Sequence, residues 1–346
     1  MIRVGLAGYG LAGSVFHAPL IAATPGLRLT IVATGNAERA ASARREHHGV
    51  EVVADADALV ARAGELDLLV VATPNATHYR VASAALAAGL AVVVDKPFTA
   101  TAAEGRALIE EGGKAKRMLT VFQNRRWDGD FLTVRKLIAE RALGDVFRFE
   151  SHFDRWRPEP RAGWKNELDP GGGLLYDIGA HLIDQALLLF GPVATVYAEQ
   201  RELRRSTRVV DDAYLVLGHR SGVSSQLVMS LVAAEAGPRF RVLGTGGTFT
   251  KFGLDVQEEM LRAGVRPGDD QWAVDPRDAW GRLSNGNETL TIATERGAYE
   301  HYYQGVRDAM ERGARPPVDP ADSLAGLEII EAANISAERR EVVTLD

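Results

Sequence analysis

The chain has 346 residues, of which 46% are hydrophobic and 25% charged, and its formal net charge is −6. This length is enough for two domains with a sizeable core, and the composition is that of an ordinary globular protein. The negative charge balance gives no electrostatic basis for binding nucleic acid. The chain has no cysteine, which excludes disulfides, thiolate nucleophiles and cysteine-ligated zinc and is compatible with a reducing compartment.

Two features of the sequence favour a cytoplasmic protein that does not bind membranes. The first strand-like run begins at Ile2, which leaves no room for a signal peptide. No apolar run reaches the roughly 18 residues that a membrane helix needs. We therefore expect a cytoplasmic location.

Apolar runs alternate with helical stretches over residues 1–122. The apolar runs are continuous rather than alternating, which is typical of parallel strands buried on both faces. This order of strands and helices predicts an α/β Rossmann domain with a doubly wound sheet. The predicted strands are Ile2–Ala7, Leu27–Ala33, Glu51–Ala54, Leu66–Ala72, Ala91–Val94 and Met118–Phe122.

The first predicted strand runs directly into a G-Y-G-L-A-G turn, and a helical stretch follows it. Gly8 permits the tight turn, Gly10 allows a pyrophosphate to approach the backbone, and Gly13 lets the helix pack closely on the strand. The helix start offers unpaired N–H groups, so we expect Leu11 and Ala12 beside the phosphates. Glycine-rich turns are common, but the position between a strand and a helix favours dinucleotide binding over a purely structural turn.

The residue that reads the adenosine ribose is expected about 20 residues past the glycines, at the end of the second strand. That segment reads A-T-G-N and has no acidic residue to bind the ribose 2′-hydroxyl of NAD. Thr34 and Asn36 can instead hydrogen-bond a 2′-phosphate, and Arg39 or Arg44 can neutralise it. The alternative is a simple turn with Arg39 on a solvated helix face. We expect NADP(H) to be favoured over NAD(H).

Two more strands end in polar segments at the carboxyl edge of the predicted sheet, where ligands bind in α/β proteins. Thr73, Pro74 and Asn75 follow the fourth strand, with His78 one turn later, and we assign all four to the coenzyme site. Asn75 can equally cap the next helix. The fifth strand continues as D-K-P, in which Lys96 either faces coenzyme and substrate or is an ordinary surface lysine.

Residues 123–346 form a second domain in our interpretation. A polar and aromatic segment that includes Asn124 marks the junction, and strand-like runs dominate after it. Alternating hydrophobicity in the first run is typical of an antiparallel sheet with one covered face, so we predict an α+β domain. The last predicted helix, Asp322–Arg340, can pack back on the first domain. The predicted strands are Val146–Asp154, Thr195–Glu202, Ala213–His219, Val223–Val232 and Arg239–Gly244.

One largely apolar helix of the second domain, Leu174–Phe190, carries a polar stripe. Asp177, His181 and Asp184 are four and three residues apart and therefore share a helix face. Burying an ionisable group without a partner is costly, so Asp177 and His181 either pair or line a wet cavity, where histidine is a natural proton acceptor. They can also be hydrogen-bonded packing residues. The sequence does not place a third ligand for zinc, and we expect no metal.

Four motifs occur in the order G-Y-G-L-A-G, T-P-N-A-T-H, D-K-P and D-I-G-A-H. In this combination the chain resembles, over nearly its whole length, the Gfo/Idh/MocA family of NAD(P)-dependent sugar and polyol oxidoreductases. It is most similar to the subgroup of NADP-dependent scyllo-inositol dehydrogenases. The resemblance implies that the second domain has a large open, mostly antiparallel sheet through which a homodimer or homotetramer forms. The subgroup markers are Ser14–Leu20, Asn124–Asp128, Arg155–Glu159 and Gly237–Phe240.

The resemblance also implies a dehydrogenase acting on CH–OH groups, with Lys96, Asp177 and His181 as its catalytic residues. His181 would exchange a proton with the substrate oxygen, while Lys96 would stabilise negative charge on that oxygen. Asp177 would bind a neighbouring hydroxyl or orient His181. The sequence departs from the family pattern at Asp95, where glutamate is usual, and at Gly35-Asn36, where NADP-using members usually have Ser-Arg.

The substrate implied by the resemblance is a polyol or sugar, with an inositol of the scyllo-inositol/inosose type favoured. Further candidate substrate contacts are Asn124, which we also assign to the coenzyme site, Arg155, Arg157, Trp164 and Tyr303. Arg155 and Arg157 can instead be surface charges. Two alternatives are a non-catalytic dinucleotide sensor of the same fold, which would not need all three catalytic residues, and a reductase of another keto-sugar.

Overall fold

The structure is a computed structural model that describes residues 1–159, 171–205 and 209–345. The chain forms two compact units, and each is built from three segments. The first boundary between the units lies after Asn124, two residues from the domain boundary predicted after residue 122. One boundary does not describe the whole division, because two later segments also belong to unit 1. Unit 1 comprises Met1–Asn124, Gln257–Trp272 and Ala298–Leu324, and unit 2 comprises Arg125–Val256, Ala273–Gly297 and Ala325–Asp346.

Unit 1 contains a six-stranded sheet in the order β3-β2-β1-β4-β5-β6, and all neighbouring strands are parallel. The order reverses between β1 and β4, and such a switch point is where α/β sheets bind ligands. This arrangement confirms the predicted Rossmann fold. The strands are β1 (Ile2–Ala7), β2 (Leu27–Ala33), β3 (Glu51–Val53), β4 (Leu68–Val71), β5 (Ala91–Asp95) and β6 (Leu119–Phe122).

Helices connect the strands of this sheet, and side-chain caps fix where several of them begin. Asp55 accepts a 2.8 Å hydrogen bond from Ala58 N at the start of α3, and Thr101 and Glu104 form a capping box at the start of α5. The helix after the glycine turn opens with a π-helical segment, Ala12–His17, before α1. The helices are α1 (Ala18–Ala22), α2 (Ala37–Glu46), α3 (Ala56–Val60), α4 (His78–Ala87) and α5 (Ala102–Ala115).

Unit 2 contains a nine-stranded sheet in the order β14-β13-β12-β11-β7-β10-β9-β8-β15. Strands β7 and β10 run parallel, and the other neighbouring pairs are antiparallel. The predicted large, mostly antiparallel sheet is therefore confirmed. The strands are β7 (Val146–Asp154), β8 (Val193–Arg201), β9 (Asp212–His219), β10 (Ser224–Ser230), β11 (Phe240–Gly244), β12 (Gly247–Lys251), β13 (Gly281–Ser284), β14 (Thr289–Ile292) and β15 (Val343–Thr344).

Helices α6 (Gly129–Ala139) and α7 (Ala180–Phe190) pack against this sheet. The aromatic rings of Phe149 and Phe190 lie 5.4 Å apart, and Phe149 and Phe240 lie 5.7 Å apart. Burying each such ring contributes roughly 1.5–3 kcal/mol. The core of unit 2 thus holds α7 firmly on the sheet.

Two later helices, α8 (Gln257–Arg262) and α9 (Glu300–Arg312), belong to unit 1. Gln257 Oε1 accepts a 2.9 Å hydrogen bond from Tyr299 N, at the start of α9. The last helix, α10 (Pro320–Arg339), begins in unit 1 and continues in unit 2. Within the described residues, no helix has the length and apolar character needed to cross a membrane.

Candidate coenzyme site and catalytic residues

The glycine turn at the end of β1 has two positions where a side chain cannot fit. Gly8 has a φ of +102°, and a Cβ on it would collide with the backbone carbonyl of Ala72. A Cβ on Gly13 would collide with the carbonyl oxygen of Gly8. Gly10 differs, because a Cβ there would meet Arg39 Nη1 at 3.8 Å, an ordinary contact distance. Gly8 and Gly13 are therefore packed tightly against backbone atoms. The backbone at Gly10 has free space next to it, with Arg39 as its neighbour, so a ligand can approach it there.

Arg39 stands in the first turn of α2, which follows β2. Asn36 caps this helix, and its Oδ1 accepts a 2.9 Å hydrogen bond from Arg39 N. Thr34 Oγ1 lies 3.4 Å from Asn36 N within the same turn. Part of the hydrogen-bonding capacity of Thr34 and Asn36 is thus used locally, while the guanidinium of Arg39 faces the glycine turn. Arg44 lies exposed in the last turn of the helix.

His78 bridges the segments that follow β4 and β5. Its ring is buried, with Nδ1 2.9 Å from Pro97 O and Nε2 3.0 Å from Thr73 O. Burial lowers the pKa of His78, so the ring is neutral near pH 7 and donates to one of these carbonyls at a time. Asn75 is also buried, at the turn before α4. The coenzyme contacts predicted for this segment remain predictions.

Lys96 follows the last residue of β5 and is half-buried. Its backbone N–H donates a 2.9 Å hydrogen bond to Asp95 Oδ1. Burial alone would raise the pKa of Asp95, but the contact with the His17 side chain and the charge of Lys96 outweigh burial and leave the pKa lowered. The lysine therefore lies beside an ionised carboxylate at the carboxyl edge of the sheet.

Tyr303, predicted as a substrate contact, is 0% exposed on α9. Its hydroxyl oxygen lies 2.6 Å from Nδ1 of the buried His17, and burial raises the pKa of Tyr303 well above its usual range. The hydroxyl of Tyr303 therefore has a buried partner inside unit 1. Its predicted contact with the substrate stays a prediction. From the sequence, His17 was noticed only as part of the subgroup marker Ser14–Leu20. Its contacts could not be predicted, because its partners Asp95 and Tyr303 lie far from it along the chain.

In unit 2, the helix that carries Asp177 and His181 begins with a π-helical segment, Leu175–Gly179, and continues as α7. Asp177 is half-buried in the π-helical segment, whereas His181 is 7% exposed in the first turn of α7. Such π-helical turns occur often at functional sites. The local structure therefore places an acid and a base on successive turns of one largely buried helix.

Asp184, the third member of the predicted polar stripe, forms a buried ion pair. Its two carboxylate oxygens accept hydrogen bonds from Arg126 Nε at 2.8 Å and Nη2 at 2.6 Å. The next residue, Gln185, donates from Nε2 to Arg125 O at 2.9 Å. These bonds attach α7 to the segment that opens unit 2. Asp184 thus has a structural role, which the helical spacing alone did not distinguish from a catalytic one.

The remaining predicted contacts are spread over several parts of the chain. Asn124 is buried at the end of the first segment of unit 1. Arg155 is half-buried, with its guanidinium 4.9 Å from the centre of the Phe153 ring. Arg157 donates from its backbone N–H to Leu231 O at 2.7 Å. Trp164 lies outside the described residues. Within residues 1–159, 171–205 and 209–345, no cluster of three or more candidate ligands could hold a metal ion.

Comparison with known protein families explains this combination of units. Residues 2–123 match the NAD-binding Rossmann-fold domain of the Gfo/Idh/MocA oxidoreductase family. Residues 135–345 match the C-terminal alpha/beta domain of the same family. The chain therefore belongs to the Gfo/Idh/MocA family and is an oxidoreductase with an NAD(P)-binding Rossmann domain.

Several relatives are similar over their full length. The oxidoreductase YdgJ of Escherichia coli is 39% identical over 348 residues, which cover 99% of each chain. The NADP(+)-dependent scyllo-inositol 2-dehydrogenase IolW of Bacillus subtilis is 36% identical over 349 residues, covering 100% of this chain and 96% of the relative. The solved structure of the oxidoreductase yvaA from Bacillus subtilis superposes with a TM-score of 0.95 at 36% identity, covering 100% of this chain and 98% of that one.

Proposed function

We propose that the protein transfers hydride between NADP(H) and a ring carbon of a polyol or sugar, with an inositol of the scyllo-inositol/inosose type as the favoured substrate. The observation that carries the proposal is the half-buried Lys96 beside ionised Asp95 at the carboxyl edge of an NAD-binding Rossmann sheet. The substrate class is supported by the full-length similarity to a scyllo-inositol 2-dehydrogenase.

The residues of unit 1 fit a bound dinucleotide. Gly8 and Gly13 allow the close packing that brings backbone N–H groups to a pyrophosphate, and Gly10 is approachable. The Arg39 guanidinium, with its planar fork of donors, suits the 2′-phosphate that distinguishes NADP from NAD. When bound, the coenzyme supplies or accepts the hydride.

The protein side chains have three roles in the proposed reaction. His181 takes the proton of the hydroxyl that is oxidised, and returns a proton to the oxygen in the reducing direction. The ammonium group of Lys96 hydrogen-bonds the same oxygen and stabilises the negative charge that develops on it. Asp177 binds a neighbouring hydroxyl or orients His181.

A coenzyme-linked assay tests the proposal. We expect NADP⁺ with scyllo-inositol to give a rise in absorbance at 340 nm, and Lys96→Ala and His181→Ala each to lower kcat by about 10²-fold or more. NADPH binding, measured by fluorescence titration, should persist in both variants. Full activity in either variant would contradict its assigned role.

The same assay separates the two alternatives. Tight NADPH binding without turnover of any inositol, aldose or keto-sugar would favour a dinucleotide sensor. Turnover of a keto-sugar with NADPH, but no reaction with inositols, would favour a reductase of another substrate. The fold alone does not choose between these functions, because one fold hosts many activities.

A further inference from the structure

Unit 1 contains a chain of buried polar contacts next to Lys96 to which the proposed reaction gives no role. The His17 side chain is 0% exposed, and its Nδ1 lies 2.6 Å from the hydroxyl oxygen of Tyr303. Its Nε2 lies 3.6 Å from Asp95 Oδ1, close enough for electrostatic attraction but longer than a hydrogen bond. The same Asp95 oxygen accepts the hydrogen bond from the backbone N–H of Lys96.

These contacts assign the proton on the His17 ring. The negative charge of Asp95 attracts an N–H group and repels a nitrogen lone pair, so the ring nitrogen that faces it, Nε2, carries hydrogen. In a neutral ring Nδ1 is then an acceptor, and the Tyr303 hydroxyl donates to it. Because burial raises the pKa of Tyr303, this hydroxyl keeps its proton and remains a donor. The arrangement therefore fits one tautomer, with hydrogen on Nε2.

The orientation of the His17 ring is also fixed by packing. The Phe122 ring, at the end of β6, lies 4.3 Å from the His17 ring, measured between centres. Tyr303 comes from α9 and Asp95 from β5, so residues from three other places in unit 1 meet around one imidazole. A ring held on several sides cannot easily turn its Nε2 away from Asp95.

We propose that His17 is a positioning residue for Lys96: its Nε2–H orients the Asp95 carboxylate, which in turn holds the Lys96 backbone, while Tyr303 keeps the imidazole in the required tautomer. The inference rests on the proposed function to the extent that Lys96 acts in hydride transfer. His17 itself does not touch the substrate. It acts through Asp95, so its loss misplaces the lysine without removing it.

Two substitutions at His17 distinguish the roles of Nδ1 and Nε2. The side-chain amide of His17→Gln reaches the place of Nε2 and can still donate toward Asp95, whereas that of His17→Asn reaches only the place of Nδ1. With NADP⁺ and scyllo-inositol, we expect His17→Asn to lower kcat about tenfold or more, and His17→Gln to recover most of it. The KM for NADP⁺ and the Kd for NADPH should be unchanged in both.

The control is His301→Gln, which changes an exposed histidine on α9 and should leave kcat unchanged. Equal losses of kcat in His17→Asn and His17→Gln would overturn the proposal, because a merely structural histidine gives that result. A change confined to the KM for NADP⁺ would overturn it as well, since it would place His17 in coenzyme binding.

A measurement without substrate tests the tautomer independently. We expect ¹⁵N-resolved imidazole spectra of the coenzyme-free protein to show one Nε2–H tautomer signal that disappears in His17→Gln and shifts in Tyr303→Phe. An Nδ1–H tautomer at His17, or no shift in Tyr303→Phe, would overturn the assignment. If the wild-type protein turns over no polyol, the proposed function fails, but these spectra still decide the state of His17.

Discussion

Arg39 lies in the first turn of α2, with Nη1 3.8 Å from the place that a Cβ on Gly10 would take. A guanidinium there can form charge-assisted hydrogen bonds with a 2′-phosphate. We expect Arg39→Ala to raise the Kd for NADPH by about tenfold or more, corresponding to about 1.4 kcal/mol, and to leave the Kd for NADH nearly unchanged. Fluorescence titration of both coenzymes measures this difference.

Arg44→Ala is the matched control, since Arg44 is exposed in the last turn of the same helix. It should leave both dissociation constants close to those of the wild-type protein. If Arg44→Ala weakens NADPH binding and Arg39→Ala does not, the 2′-phosphate is read by the other arginine. Equal weakening for NADPH and NADH in Arg39→Ala would mean that the residue supports the turn and not coenzyme selection.

Individual residues differ in how far their role could be predicted from the sequence. Gly8 and Gly13 were predictable because their roles are local: a backbone conformation and a close contact within one strand–turn–helix segment. The buried position of His17 was not, because it depends on Asp95 and Tyr303, which are distant in the sequence and near only in the folded chain. Asp184 was ambiguous for the same reason, since its partner lies outside its own helix.

At the scale of elements, the Arg126–Asp184 ion pair attaches α7 to the start of unit 2, with side-chain exposures of 9% and 4%. Removing one partner of a buried pair leaves an uncompensated charge and typically costs about 3–5 kcal/mol. We expect Asp184→Asn to lower the free energy of unfolding by about 3 kcal/mol, measured by urea titration. Asp145→Asn, which breaks an exposed pair with Arg141, should cause no measurable change.

If Asp184→Asn and Asp145→Asn have the same small effect on unfolding, the Arg126 pair is not important for stability. If Asp184→Asn is stable but loses kcat, then Asp184 acts on the proposed reaction rather than on the fold. The comparison of unfolding with turnover therefore separates the two roles that the helical spacing left open.

The elements of unit 1 were easier to predict than those of unit 2. A parallel strand buried on both faces is a continuous apolar run, and β4 is buried at all four of its residues. By contrast, β12, β13 and β14 were missed: they are short, and β14 is mostly exposed, so they give little hydrophobic contrast. Helix α8 was missed too, because it has only six residues and borders a segment rich in glycine, proline and aspartate.

At the scale of the whole molecule, the nine-stranded sheet has one face that is buried and another that is half-exposed. In β9 and β10, buried residues alternate with half-exposed ones, and Tyr214, Val216 and Val228 are on the half-exposed face. We infer that this face forms the contact in a homodimer or homotetramer, since its tyrosine and valine side chains, which lie among polar residues such as Gln226, are stabilised by being covered.

We expect Val216→Asp to lower the mass measured by light scattering to that of one chain, because a buried unpaired carboxylate opposes association. Ala139→Asp adds the same charge at the exposed end of α6 and should leave the mass unchanged. A wild-type protein that is already monomeric at micromolar concentration would contradict the inference directly.

Unit 1 includes residues from near both ends of the chain. Thr120 of β6 donates a 2.7 Å hydrogen bond to Val318 O. His17, near the start of the chain, makes its buried contact with the hydroxyl of Tyr303, near the end. A ribosome must therefore synthesise nearly the entire polypeptide before the first domain can close its interior. Cutting the gene after residue 124 would not yield a free-standing coenzyme-binding module, because such a fragment lacks α8 and α9. In that fragment, Phe122 would lack Tyr302 and Tyr303 of α9, the aromatic residues that it packs against.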